Sequence, residues 1–429
     1  MTTLDSVDSV AISTAETGRA FPKWAAPVLM TFGALVLLSI ARKWGTDAAG
    51  LTGAFTFTAA FGLAMPVAVA GLGGLISERS GIVNIGLQGM MIMGTCTAGF
   101  VGWKFGPWAA LLGGIIGGAI AGALHAFATI SLGVNHTVSG VAINLLTPGV
   151  SRYIASVWFV GHGDGSVTNS PTMQSVSKYT LPLLSGGPIG SWTSPDFFGK
   201  LADKNWFLVS DLAAVLKGFT TDVSGATIVI LLMFPLFGYL LWKTPWGLRL
   251  RSCGEKPSAA DSLGIDVAKT QWLAVVISGS LAGLGGGWLV VEVQRYQQGQ
   301  VALRGFLALA CVVFGNWKIG GLLAGAFLFQ YPESLPLVAF DSSPRGLILV
   351  VTLAFGLLAI WTFYGRKFKE GIVVCVLTAA ALVWFKLSKE VDPKITNSFP
   401  YAITLLVLVF SSQRQRPPAS AGITWRKGS

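Results

Sequence analysis

The chain has 429 residues, of which 52% are hydrophobic and only 11% charged. A soluble domain carries about a quarter charged residues, so this composition excludes an ordinary water-soluble protein, as does a mean hydropathy of +0.65. The formal net charge of +11 would suit a nucleic-acid partner, but the basic residues cluster in short segments beside long apolar runs. That is the positive-inside pattern of a membrane protein, and it predicts a lipid bilayer, not nucleic acid, as the chain's environment. Cys96, Cys253, Cys311 and Cys375 are scattered singly without C-x-x-C or His pairing, which predicts neither a disulfide framework nor a bound metal.

In chain order, residues 1–23 are polar and Ser/Thr-rich and read as a disordered cytoplasmic tail. The first apolar run, 24–41, lacks the cleavage signature of a secretory signal and is followed by Arg42 and Lys43, so it reads as a retained helix. Further runs lie at 55–76, 88–103, 107–133, 136–158, 224–243, 271–293, 305–336, 345–365, 371–387 and 398–411. With roughly 20 apolar residues needed per crossing, the fold class expected is all-α, a polytopic bundle of about ten to twelve spans with broken or re-entrant segments. The transmembrane domain is placed at 24–411. Run 305–336 is too long for one helix and is interrupted by Gly315-Asn316-Trp317-Lys318. It is either a half-helix followed by a span or two short crossings.

Lys243, Arg249, Arg251, Lys256 and Lys269 mark 243–272 as cytoplasmic. The loop at Arg366, Lys367 and Lys369 and the basic tail 412–429 point the same way, so both termini are expected in the cytoplasm of a bacterial inner-membrane protein. Residues 159–223 are rich in Gly, Ser, Pro and Asp with balanced charge and are placed outside. These assignments agree only if 305–336 crosses twice.

Three segments are too polar or too glycine-broken for plain spans, and interrupted hydrophobic segments are the best sequence pointer to a translocation path. Residues 78–89, ERSGIVNIGLQG, offer an acid–base pair, amides and glycines. They are either an ordinary turn or a broken helix with Asn84 and Gln88 one turn apart on the pathway and breaks at Gly81, Gly86 and Gly89. Residues 135–140, NHTVSG, open a span in which Asn144 lies one to two turns deeper; it is interhelical glue or a pathway residue. His125, alone in its run, is expected to be packed and hydrogen-bonded. In 254–265, GEKPSAADSLGI, Pro257 can start a short helix, Ala259 and Ala260 favour it, and Gly264 can end it.

Together with GFLALACVVFGNW at 305–317, SGSLAGLGGG at 278–287 and FPYAITLLVLVF at 399–410, these segments resemble the permease subunits of bacterial ABC importers for simple sugars and nucleosides. That branch shares its fold with branched-chain amino-acid permeases. The resemblance covers about 50–336 and resumes at 399–429. It implies that 254–265 is the coupling helix, with Gly254, Glu255, Lys256, Pro257, Ala259, Ala260 and Gly264 at or near the surface that docks on a separate cytoplasmic ABC ATPase. It further implies a second related permease or a homodimer, an extracytoplasmic substrate-binding protein, and ATP and Mg on the ATPase instead of a cofactor on this chain. Against the family pattern, Gln88 replaces an acid, Lys256 an Asn and His136 a position that is often Glu. Residues 337–397 look like an insertion. Asn84, Gln88, Asn144 and Asn316 would line a path for neutral polyols, with Gly315 as a further break.

The only Gly-Lys pair, Gly199-Lys200, precedes Leu201 and lacks a phosphate-binding pattern, so ATP hydrolysis is not expected here. Three separated histidines offer no catalytic constellation. The rival reading is an ion-gradient-driven secondary transporter, disfavoured because Glu78, Glu292 and Glu333 fall near run ends or breaks instead of mid-span.

Overall fold

The computed structural model describes residues 25–43, 49–189, 191–338, 343–364, 368–387 and 415–426. The expected tail 1–23, the loop residues Arg366 and Lys367 and the run 398–411 lie outside them. The described chain is almost entirely helical. In order it forms α1 (Ala25–Ala41), α2 (Ala54–Arg79), α3 (Leu87–Phe105), α4 (Pro107–Ala126, continued by a π-turn at Phe127–Ser131) and α5 (His136–Trp158). After a stretch carrying α6 (Phe197–Ala202) and α7 (Val209–Thr220) come α8 (Gly225–Lys243), α9 (Pro245–Glu255), α10 (Pro257–Ser262) and α11 (Val267–Val293). The last elements are α12 (Arg304–Phe314), α13 (Ile319–Val338), α14 (Ser343–Tyr364) and α15 (Phe368–Leu387). The only strands among the described residues are two-residue pieces between α5 and α8. There β1 (Lys178–Tyr179) pairs antiparallel with β4 (Val223–Ser224), and β2 (Pro188–Ile189) with β3 (Trp192–Thr193).

Five of the helices, α2, α4 with its π-turn, α8, α11 and α14, are long and apolar enough to cross a membrane by length and composition. The bundle is built around α11, whose 27 residues pack against α2, α3 and α4. Lipid tails are as apolar as Leu, so helices in a bilayer gain little by burying apolar surface and associate through close packing. Glycine makes that packing close. Gly114, Gly118 and Gly122 of α4 face Gly279, Gly283 and Gly287 of α11, both sets spaced by four residues on one helical face. A Cβ at Gly114 would stand 2.6 Å from the Gly283 carbonyl oxygen, and one at Gly94 of α3 would stand 2.5 Å from the Gly283 Cα. On the side facing α2, a Cβ at Gly73 would stand 2.5 Å from the Ser278 carbonyl oxygen.

Run 305–336 combines its two alternatives. After α11 the chain returns inward without helix through residues 295–303 and enters α12, a half-helix of 11 residues. A turn at Gly315–Lys318 then starts the 20-residue α13. The extended return plus α12 makes one crossing and α13 the next. Two contacts fix this path: Tyr296 sits against Gly99 near the end of α3, and Trp317 lies beside Glu78 at the other end of the bundle. Residues 415–426 therefore share an end of the bundle with α9 and α10, as the basic-loop pattern requires.

At the opposite end, Asp211 of α7 accepts hydrogen bonds from Ser39, from Thr52 Oγ1 at 2.5 Å and from Arg42 at 2.5 Å. Burial pushes its carboxyl up, but those hydrogen bonds and the Arg42 charge outweigh burial and hold it below the usual carboxylate range. A depressed folded-state pKa stabilises the fold above the unfolded value of about 4 and is lost as pH falls through the folded value. Thermal unfolding of the detergent-solubilised protein should be unchanged by this group from pH 8 to about 5 and fall below about 4, and Asp211→Asn should remove that acid dependence. Gly118→Leu should destabilise the bundle by about 3 kcal/mol or more, because backbone faces it directly and cannot yield; the same thermal scan would read it.

Candidate translocation and coupling site

The segment between α2 and α3 is a true break. Helix α2 ends in a Schellman arrangement: Gly81 N–H donates to the Glu78 carbonyl at 3.0 Å and Ile82 N–H to the Ser77 carbonyl at 3.2 Å. Gly81 takes a φ of +101°, which a residue with a Cβ adopts only under strain. Residues 82–86 are non-helical, with Ile82, Asn84 and Gly86 buried and Val83 and Ile85 half-buried, and buried backbone at membrane depth must find partners. Side chains supply them. Val83 N–H donates to His136 Nδ1 at 3.4 Å, and the Val83 carbonyl meets His125 Nε2 at 3.3 Å. Asn84 accepts from Gly86 N–H at 3.1 Å and donates to Ser278 Oγ at 2.9 Å. Asn144 accepts from Gly89 N–H at 2.8 Å and donates to the Ile85 carbonyl at 2.9 Å.

The second break is the inward return before α12. Gln88 donates to the Ala302 carbonyl at 2.5 Å and accepts from Gly305 N–H at 2.8 Å, so one amide serves an orphan donor at the start of α12 and an orphan acceptor before it. Arg304, at that start, donates to Glu333 of α13 at 2.6 Å.

At the end of the bundle carrying α9 and α10, Trp317 Nε1 donates to Glu78 at 2.5 Å and Arg79 donates to the Trp317 carbonyl at 2.8 Å. Glu78 and Arg79, read from sequence as an acid–base pair, are thus directed to other partners. Arg79 also stands 4.0 Å from Glu255, the last residue of α9. The coupling loop is pressed onto this site. A Cβ at Gly254 would reach the Arg79 carbonyl and stand 3.1 Å from Gly81 N. Lys256 stands at the N-cap of the six-residue α10, and Gly264 ends it with a φ of +80°. Residues 415–426 lie across the loop as a strap: Ser420 N–H donates to the Gly254 carbonyl at 2.9 Å, Gly422 N–H to the Gly81 carbonyl at 3.0 Å and Arg416 N–H to Asn316 Oδ1 at 2.8 Å. Trp425 packs with Cys253, Ala260 and Val267.

These positions revise several expectations. Asn84 lies outside any helix, so it and Gln88 are not one helical turn apart; both are buried and hydrogen-bonded within the protein. Asn144 bonds to Gly89 and Ile85 between α5 and the break, and His125 is packed and bonded to Ser139 at 2.9 Å. Asn316 lies in the turn at the coupling end, away from mid-membrane. Gly86 and Gly89 lie against Gly140 and Thr147 of α5, and Gly315 against Gly321 within the α12–α13 turn. In the coupling loop, Gly254 and Ala260 are buried and face the protein. Glu255, Lys256, Ala259 and Gly264 are exposed and Pro257 half-buried. The most prominent surface residue there is Leu263, 82% exposed, which sequence reasoning passed over although an apolar residue in a polar loop was a legible signal.

A bundle with five helices long and apolar enough to cross a membrane, interrupted by two unwound segments and with a short surface helix pinned to one of them, has the build of a polytopic membrane protein. Its residues 56–360 match the family described as "Branched-chain amino acid transport system / permease component", and the chain belongs to that family. It is a multi-pass membrane protein and the permease subunit of an ABC importer. The chain is 34% identical to the guanosine ABC transporter permease protein NupQ of Bacillus subtilis (strain 168) over 316 residues, covering 71% of this chain and 90% of that one. It is 31% identical to the nucleoside ABC transporter permease protein NupC of Lactococcus lactis subsp. cremoris over 315 residues, 70% and 89% of the two chains. It is 27% identical to the glucose ABC transporter permease protein TsgB13 of Haloferax volcanii over 375 residues, 82% and 92% of the two. No solved structure gives a significant match.

Asn144→Ala should strand Gly89 N–H and the Ile85 carbonyl and cost about 1–3 kcal/mol of stability, seen as a lower unfolding temperature. A pure pathway residue would instead leave that temperature unchanged and alter only uptake.

Proposed function

We propose that this chain carries nucleosides inward across a bacterial inner membrane by alternating access, powered by a separate cytoplasmic ATPase that docks on α9 and α10. The observation that carries the cargo assignment is the 34% identity to a guanosine permease over 90% of that protein's length. A simple sugar is the second reading, favoured by the glucose permease relative. The ATPase would hold ATP and Mg, a second related permease or another copy of this chain would complete the membrane unit, and an extracytoplasmic binding protein would deliver the solute. This chain would carry no enzyme activity of its own. In this reading the end bearing α9, α10 and the strap faces the cytoplasm.

The coupling loop suits that task physically. Helix α10 is short, opened by Pro257 and closed at Gly264, and its flank at Gly254 rests directly on the α2–α3 break. A push on it reaches Gly81 and, through Arg79 and Trp317, the α12–α13 turn, without passing through a flexible loop.

Deleting the gene should abolish uptake of labelled guanosine, and in the wild type excess unlabelled nucleosides should compete while ribose and glucose should not. Competition by sugars alone would assign the second reading, and gradient-driven uptake by this chain alone in proteoliposomes would overturn the ATPase requirement. Leu263→Asp, an exposed change that disturbs no packing, should lower uptake at least tenfold and weaken co-purification of the ATPase while leaving membrane insertion intact.

A further inference from the structure

Eleven residues at 1.5 Å rise place the N-terminus of α12 about 16 Å above its turn at the coupling end. That is near the middle of a hydrocarbon layer about 30 Å thick. Gathered there are Arg304 and Glu333, 2.6 Å apart, so Glu333 lies at mid-depth and not near a span end as the sequence pattern suggested. Gln300 stands just before the helix, its carbonyl accepting from Arg304 at 3.2 Å. Gln330 lies one turn before Glu333 on the same face of α13 and is fully buried. Ionisable groups at membrane depth are costly and mark substrate or ion pathways. Glu333 is paired with Arg304, and 31% of its side chain remains exposed, open to a polar neighbour.

The cluster also carries unused hydrogen-bonding capacity. Among the described residues, both amide atoms of Gln330, Nε2 of Gln300 and Nε of Arg304 are buried without a partner. Buried polar atoms are nearly always paired, and four unpaired ones around a single half-helix N-terminus are not explained by packing. They include donors (Arg304 Nε, Gln300 Nε2, Gln330 Nε2) and an acceptor (Gln330 Oε1). Gln88, by contrast, is spent on holding the break.

We propose that Arg304, Glu333, Gln330 and Gln300 form the substrate-recognition site of this permease, taking an uncharged, ring-bearing polar solute of the nucleoside class. The proposal rests on the nucleoside reading above and adds where and how such a solute is held. The guanidinium and the positive end of α12 face electronegative ring atoms such as carbonyl oxygens. The Glu333 carboxylate accepts from hydroxyls or an amino group, and the Gln330 amide does both. Arg304 is already neutralised by Glu333, so a phosphate would enter without a free cation to meet it. The site selects nucleosides over nucleotides on that ground. Broken helices whose half-helix N-terminus meets the substrate near the midplane are a recurrent transporter device.

The test uses the full chain co-expressed with its ATPase and binding protein, with labelled guanosine as probe. Gln330→Leu and Glu333→Gln should each raise KM for uptake at least tenfold, with the assembled complex still recovered by co-purification of the ATPase. In a Cys375→Ser background, Gln330→Cys should be alkylated by a membrane-permeant maleimide during ATP turnover, and guanosine, but not guanosine monophosphate, should slow the alkylation. Unchanged KM in both substitutions, or alkylation that guanosine does not slow, would overturn the site. Should Gln330→Leu fail to assemble, the cysteine protection decides alone. If the unaltered complex carries a sugar and not guanosine, the nucleoside reading falls, and protection by that sugar or its absence decides the site separately.

Discussion

Close backbone contact along α11 is the constraint on which the rest of this permease depends. Glycines on α4, α3 and α2 let three helices approach α11 to distances that no Cβ would permit. In a bilayer, where burying apolar side chains against one another gains little over burying them in lipid, such contact is the available route to tight packing. It also fixes what α11 can do: any side chain larger than hydrogen at Gly118 or Gly283 would push neighbouring backbone away. The same helix carries Ser278 toward the α2–α3 break and Trp288 toward Thr227 at the start of α8, so the spine and the irregular segments are registered against one another.

Both irregular segments follow one rule. Helix interruption at membrane depth leaves donors and acceptors without water, and the protein answers with side-chain amides and imidazoles: Asn84, Asn144, His125 and His136 for the first break, Gln88 for the second. Residues that look like pathway chemistry because they are polar and intramembrane are therefore largely occupied as braces. Unpaired buried atoms remain at both places, with Arg79 Nε, His136 Nε2 and Thr147 Oγ1 near the first break and four gathered at Arg304, Gln300 and Gln330.

The coupling end joins these parts mechanically. Trp317 and Arg79 tie the α12–α13 turn to the end of α2, Gly254 sets α9 against that same point, and the strap 415–426 bonds to Gly81, Gly254 and Asn316 together.

The membrane class, the helical fold and the short helix opened by Pro257 were legible in the amino-acid sequence, and the interruption at 78–89 was legible as one of two alternatives. Hydropathy, glycine placement and the Lys256-Pro257 and Gly264 punctuation are local properties that act over a few residues. The parity of 305–336, and with it the side on which residues 415–426 fall, was legible only as a choice between alternatives, because an unwound inward return has no periodicity to detect. The roles of Asn84, Gln88 and Asn316, the burial of Gly254 and Ala260, and the meeting of Arg304 with Glu333 were decided by tertiary structure alone. The long-range hydrogen bonds and ion pair among them join partners between 29 and 217 residues apart in the chain, and such a contact is set by proximity in space, which composition and spacing do not encode.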